Sequence, residues 1–206
     1  GMWAFAIWDN KKKKLFLSRD IFGEKPLYYF LSNDGFFFGS EIKFIKSLSN
    51  KDFKINKHHI SRNLFCGYKS LFKSNETFFE KIYSLESSTN LTIDLNLNIV
   101  KKKFWSPKMS IDKNLDEKVA SAEINRLLQK SVNLRMRSDV PIAFCLSGGI
   151  DSSLLASLAS KKLNRKISTF SIIDKEPNYN EIENINLVVK DLKCKNAKIF
   201  LKNKKK

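Results

Sequence analysis

A disulfide framework is excluded first: the 206-residue chain has only three cysteines, Cys66, Cys145 and Cys194, set far apart. An odd count argues against such a framework, and none of the spacings is that of a metal site. Long apolar runs are missing too, since no stretch approaches the roughly 20 residues of a membrane span. No secretory signal is visible at Gly1. Together these absences lead to the expectation of a soluble protein in a reducing cytoplasm, without a membrane partner.

Acidic side chains are also few, with 21 Asp and Glu against 38 Lys and Arg and a net charge of +17. Such a charge raises nucleic acid as a partner. Only six of the basic residues are arginine, however, the side chain that favours bidentate phosphate contacts and base readout. The lysine runs at 11–14, 101–103 and 204–206 read as solvated turns or a frayed end, so nucleic acid is disfavoured. His58 and His59 stand in polar sequence with no partner at metal spacing and read as a surface pair.

What the chain does have is a strand running into a glycine-serine turn. Ile142-Ala143-Phe144-Cys145-Leu146 is continuously apolar, and Ser147-Gly148-Gly149-Ile150-Asp151-Ser152-Ser153 follows at once. Two glycines let backbone N–H groups approach an anion, the hydroxyls can donate, and the next helix offers its positive N-terminus. The spacing matches neither G-x-x-x-x-G-K-[ST] nor G-x-G-x-x-G. Asp151 beside a phosphate cradle suits a Mg²⁺ ion that bridges phosphate oxygens. A plain strand-turn-helix is the bland alternative.

The surroundings sharpen this reading. Leu154, Leu155, Leu158 and Ala159 recur at helical spacing, residues 166–173 form a β-branched and aromatic run, and Asn180 with Glu183 looks like a cap before Ile182, Ile185, Val189 and Leu192. Residues 197–201 would be a third strand. Alternating strand and helix from Pro141 onward argues for a doubly wound parallel sheet with ligand at the carboxyl ends of its strands. The spacing of Val119, Ile124, Leu127, Leu128 and Val132 predicts a helix over 116–134 that opens this part.

The front of the chain has another rhythm. Residues 3–8, 15–17, 27–31 and 36–38 are short apolar runs, the first apolar on both faces, and Asn33-Asp34-Gly35 is a hairpin signal. Ser40-Glu41 reads as the cap of a short helix carrying Ile42, Ile45 and Leu48. Trp105-Ser106-Pro107 marks the end of this part.

The string SGGIDSS resembles the pyrophosphate loop of the ATP pyrophosphatases. Four ordered blocks extend the likeness over nearly the whole chain. They are Gly1-Met2-Trp3-Ala4-Phe5-Ala6-Ile7-Trp8-Asp9, Ser18-Arg19-Asp20-Ile21-Phe22-Gly23-Glu24-Lys25-Pro26-Leu27-Tyr28-Tyr29, Phe38-Gly39-Ser40-Glu41-Ile42-Lys43, and Arg137-Ser138-Asp139-Val140-Pro141 leading into the loop. Together they resemble the glutamine-dependent asparagine synthetases. The resemblance implies an α+β fold and then an α/β fold. Residues 1–108 would be the C-terminal part of an antiparallel sandwich of the N-terminal-nucleophile hydrolase type. Residues 109–206 would begin a doubly wound ATP pyrophosphatase domain.

The implied reaction uses glutamine, aspartate and ATP: ammonia freed from glutamine attacks β-aspartyl-AMP, and AMP and pyrophosphate leave. Within the motif, Ser147, Gly148, Gly149, Asp151 and Ser152 match the family's phosphate loop, and Leu146 and Ile172 match positions that contact the nucleotide. The cofactors implied are ATP and Mg²⁺, with Asp151 toward the metal. A homodimer of the full-length protein is left open.

The sequence departs from the family in two places. The glutaminase nucleophile there is a cysteine at the mature N-terminus, whereas Gly1 stands first here, and a serine-glycine-rich loop ending in Asp-Glu is not found before Lys206. The chain therefore reads as an internal fragment, inactive by itself. Other family members amidate surface-polysaccharide sugars or close β-lactam rings, a tRNA-modifying pyrophosphate-loop enzyme is a more distant alternative, and an inactive interaction remnant is the non-enzymatic one.

Overall fold

In the computed structural model, residues 1–112, 114–174, 176 and 180–201 are described. The lysines at 204–206, read above as a frayed end, lie outside them. The chain divides into two compact units, Gly1–Ser110 and Ile111–Lys206. Among the described residues no helix is long and apolar enough to cross a membrane.

The first unit is built on two antiparallel sheets. Strands β1 (Ala4–Asp9), β2 (Lys14–Arg19), β6 (Thr89–Asp94) and β7 (Ile99–Lys103) form one in the order β1-β2-β6-β7. Strands β3 (Tyr28–Ser32), β4 (Gly35–Gly39) and β5 (Ile82–Ser84) form the other in the order β4-β3-β5. Ser32 pairs with Gly35, so Asn33 and Asp34 are the two-residue hairpin loop that the sequence signalled.

Alternation along β3 and β4 explains their unbroken apolar runs. Tyr29, Phe36 and Phe38 pack into the core shared with Leu17, Leu91 and Ile93 of the first sheet. Tyr28, Phe30 and Phe37 face the other way and pack with Ile45 and Ile42 of helix α1 (Ile42–Ser49). Side chains of period two on a sheet covered from both sides must be apolar at every position. Phe30 stacks on Phe37 at 6.0 Å between centroids, and Tyr29 on Phe36 at 5.8 Å.

Some expectations give way here. Strand β1 is apolar on both faces but lies at the sheet edge, paired with β2 alone, and Phe5, Ile7 and Trp8 are exposed. Helix α1 begins after Glu41, yet no side chain caps it, and Glu41 pairs with Lys43 at 2.8 Å instead. Leu48 lies on its exposed face. His59 is not at the surface. It sits in helix α2 (Lys57–Cys66), 2% exposed, edge-on to the Phe78 ring at 4.9 Å. The polar letters around it concealed an aromatic partner 19 positions away, and the Asn56 side chain that caps α2 by accepting from His59 N–H turns it inward.

The second unit carries helix α3 (Glu117–Arg135), capped by Asp116, whose carboxylate accepts from Lys118 and Val119 N–H. Val132 is buried and Leu128 half-buried, while Val119, Ile124 and Leu127 remain exposed. Strands β8 (Ala143–Cys145), β9 (Ser168–Ile173) and β10 (Lys195–Phe200) are parallel and lie side by side in chain order. Helix α4 (Ile150–Ser157), prolonged by a π-turn at Leu158–Lys162, and helix α5 (Ile182–Leu192) make the crossovers.

Of the doubly wound arrangement expected, the described residues supply helices on one face of the sheet. Successive right-handed crossovers that advance in one direction place their helices on one face of the sheet. Phe144 on that face packs with Ala156, Leu158, Ala159 and Leu192. Ile172 and Ile199 on the opposite face are 55% and 53% exposed. Among the described residues the strand order never reverses, so no switch point is formed.

The first unit is pinned at one dipeptide. Asp20, 1% exposed, accepts from the N–H groups of Trp3, Phe22, Glu24 and Lys25 at 3.0–3.3 Å. Arg19 donates to the carbonyls of Gly23, Lys25 and Leu85 and to Ser84 Oγ. Gly23 has φ +65, and a Cβ there would meet the Arg19 guanidinium at 3.1 Å. Burial pushes the Asp20 carboxyl up, but the four N–H donors outweigh it and hold it below the usual carboxylate range.

A carboxylate held below its unfolded value stabilises the fold above that value, and the contribution is lost as pH falls through the folded one. Asp20→Ala, removing the shared acceptor of four part-buried bonds, should destabilise the unit by about 1–3 kcal/mol at pH 7 in denaturant titrations. The gap from wild type should narrow below about pH 4. A gap that stays constant into acid would refute this account of the clamp.

Candidate functional site

The glycine-serine turn lies at the carboxyl end of β8, as the sequence predicts. Leu146 prolongs the strand by one residue, its N–H donating to Phe170 O at 2.8 Å. Its side chain is fully buried against Ile173 and Ile185. That anchor sets where the chain leaves the sheet.

Gly148 then takes φ +88, a conformation that L side chains rarely adopt. A Cβ there would also meet Glu181 Cβ and O at 3.1 Å and Asn184 Cβ at 3.2 Å, so the turn is packed against the start of α5. Sequence reasoning had no route to this contact, because Glu181 lies 33 positions away. Asn180 and α5 start differ slightly from expectation as well. Glu181 holds the N-cap position without a capping side chain, and Asn180 Oδ1 accepts from Ile182 N–H at 3.0 Å.

The serines of the turn bond to one another. Ser147 N–H donates to Ser152 Oγ at 3.2 Å, the two hydroxyls are 3.0 Å apart, and Gly149 N–H donates to Ser147 Oγ at 3.3 Å. Ser152 and Ser153 hydroxyls both donate to Gly149 O, at 3.2 and 2.8 Å. One assignment of protons satisfies all of them: Ser147 O–H donates to Ser152 Oγ, and Ser152 O–H to Gly149 O. The hydroxyls expected to face a phosphate therefore hold the turn in shape here, and would have to rotate to reach an anion.

The turn nonetheless keeps donors that an anion could use. Gly149 is the N-cap of α4 and offers no capping side chain, so the first-turn N–H groups of the helix lack an intrahelical acceptor. They point, with the helix's positive end, toward the turn. Ile150 is exposed there at 86%, and Asp151, in the first turn of α4, is also exposed. No group of three or more His, Cys, Asp and Glu gathers around a metal position among the described residues. Mg²⁺ is commonly held by one or two carboxylates together with substrate phosphates, and Asp151 is the carboxylate in the turn that could serve as one of them.

Ile172 lies on β9, two residues past the Phe170 carbonyl that receives Leu146. It is therefore level with the start of the turn, on the exposed face of the sheet. Asp174, missed in the sequence, follows β9 directly at the same carboxyl edge; a carboxylate just after an apolar strand was the available signal. Cys66 and Cys145 are exposed, Cys194 is half-buried, and all three are free thiols.

Comparison with known proteins places these two units in a family context. Residues 1–105 match the family described as glutamine amidotransferase domain, and residues 123–205 match the one described as asparagine synthase. A protein of Methanocaldococcus jannaschii, provisionally named glutamine-hydrolyzing asparagine synthetase 2, is 34% identical over 99% of this chain and 39% of its own length. Glutamine-hydrolyzing asparagine synthetase 1 of Bacillus subtilis is 32% identical over 89% of this chain and 28% of its own. Amidase chry2 of Gibberella zeae is 30% identical over 78% and 23%. The chain thus spans well under half the length of the curated relatives it matches.

Gly148→Ala should destabilise the second unit by about 1–3 kcal/mol in denaturant unfolding, from the positive φ and the contacts at the start of α5 together. Gly149→Ala, at an ordinary φ of −74 and facing only the Ser147 hydroxyl, should cost about 1 kcal/mol or less. Equal costs would show that the packing of Gly148 on α5 carries no weight.

Proposed function

This chain belongs to the glutamine-hydrolyzing asparagine synthetase family, and on that footing we propose that the protein transfers glutamine nitrogen to a carboxylate activated by ATP. The reading is carried by one observation: an uncapped glycine-serine turn at the carboxyl end of a parallel strand, in a chain whose preceding unit matches a glutamine amidotransferase domain. In this reading the first unit contributes to a sandwich of the N-terminal-nucleophile hydrolase type, and the second begins an ATP pyrophosphatase domain.

The acceptor proposed is aspartate, and asparagine the product. A carboxylate oxygen is a poor leaving group, whereas AMP leaves readily, so adenylylation prepares the carboxyl for attack by ammonia. The first-turn N–H groups of α4 would receive the departing pyrophosphate, with Gly148 and Gly149 keeping the approach open. Ser147 and Ser152 would turn from each other toward phosphate oxygens. Asp151 would hold Mg²⁺, which supplies neutralisation of charge on the phosphates. Leu146 and Ile172 would set the strand edge and the apolar surface against the nucleoside.

A second acceptor is favoured by one observation, that a relative of 30% identity bears the name of an amidase rather than of an asparagine synthetase. Another carboxylate, such as that of a surface-polysaccharide sugar, would use the same turn. A cytoplasmic setting, a homodimer and independence from nucleic acid complete the proposal.

In the full-length protein, Asp151→Ala should lower ATP-dependent amide formation by at least about a hundredfold while glutamine hydrolysis stays within about twofold. Pyrophosphate release with and without aspartate is the readout. Release that requires a different carboxylate would replace aspartate as acceptor, and equal loss of both activities would overturn the division of labour between the units.

A further inference from the structure

A cavity of about 720 Å³ opens in the first unit between β3, β5, α2 and the 3-10 turn Tyr68–Lys73. Its size is that of a small-molecule site. Nothing in the reading above uses it.

Beside one wall lies a half-buried polar network centred on Arg62. Its guanidinium pairs with Glu76, donates to Ser74 Oγ at 3.2 Å and lies 3.2 Å from His59 Nδ1. Arginine can only donate, so Nδ1 accepts and the imidazole proton sits on Nε2. Burial, with the Arg62 charge beside it, holds His59 below its ordinary pKa and keeps it in this neutral form at pH 7. Nε2–H has no acceptor among the described residues, and His59, buried to 98% of its surface, lines the cavity. It is a donor without a protein partner among the described residues, on the wall of a half-open cavity.

The other charges of the cavity settle which ligand suits that donor. Glu76 is neutralised by Arg62, and Glu86 by Lys101 at 3.0 Å. Lys73 also lines the cavity, and no ion pair is formed by it among the described residues. Ser84 Oγ accepts from Arg19 at 2.8 Å and keeps its own proton to give. The lining thus includes a cation and two neutral donors that can turn to an anion. Between them the lining is apolar, from Ile42, Leu71, Phe78 and Leu85.

We propose that this cavity binds a small organic anion, with its carboxylate against His59 Nε2–H, Ser84 Oγ–H and Lys73 and its apolar body against Ile42, Leu71 and Phe78. The site lies outside the glycine-serine turn and does not depend on the activity proposed for it.

Sodium benzoate is a suitable probe, because benzamide has nearly its shape without its charge. With the full-length protein, benzoate should displace the His59 imidazole Nε2 and Cε1 resonances in NMR spectra of ¹⁵N- and ¹³C-histidine-labelled material. Benzamide should bind about tenfold more weakly or worse. Lys73→Met, an exposed substitution that should leave the fold intact, should raise the benzoate dissociation constant by about tenfold. His59→Phe should abolish binding, with its folding checked by thermal melting. Benzamide binding as tightly as benzoate, an unmoved His59 signal, or an unchanged constant in Lys73→Met would each overturn the proposal, as would the absence of benzoate binding.

Discussion

The first unit depends on what happens at the end of β2, where two adjacent charged side chains neutralise backbone groups instead of each other. Asp20 accepts from four N–H groups of residues 3–25, and Arg19 donates to three carbonyls and a hydroxyl across residues 23–85. The loop between β2 and β3 has no ladder of its own to satisfy these polar groups. Without the pair these part-buried groups would lose their shared partners. Ser88 closes the arrangement, its N–H on Asp20 O and its hydroxyl on Ile21 O. Sheet packing follows, because Leu27 and Leu85 are held in register, Leu85 N–H donating to Leu27 O at 2.8 Å.

The second unit solves a different problem, burial of a parallel sheet by helices on one face. Polar side chains on that face are accommodated by Asn196, whose Nδ2 donates to Thr169 Oγ1 at 2.9 Å and to Ser171 Oγ at 3.0 Å. The opposite face carries Cys145, Ile172 and Ile199 in the open. A parallel sheet is normally apolar on both faces because both are covered, and this face has that composition. The glycine-serine turn sits at the rim where the two faces meet, shaped by its own serines and backed by the first residues of α5.

These two constructions explain why the uncommitted groups of the molecule are found where they are. In the turn, the free donors are backbone N–H groups at a helix end, suited to a phosphate. In the cavity of the first unit, they are side-chain groups left over after every carboxylate has found a cation. Both are positive in character, in keeping with a chain of net charge +17, but their chemistry differs because one is made by helix geometry and the other by side-chain pairing.

Local chemistry was enough to read much of this from the letters. The Asn33-Asp34-Gly35 hairpin, the Asp116 cap of α3, the strand leading to SGGIDSS and the family likeness all rest on neighbours within a few residues, where turn preference, capping and periodicity act directly. Tertiary structure alone decided the rest. It buried His59 against Phe78, left the apolar β1 at a sheet edge, set both crossover helices on one face, and packed Gly148 on Glu181. Each of these turns on which distant surface meets which, and a contact between residues separated by 19 or 33 positions leaves no mark on the local pattern of either partner.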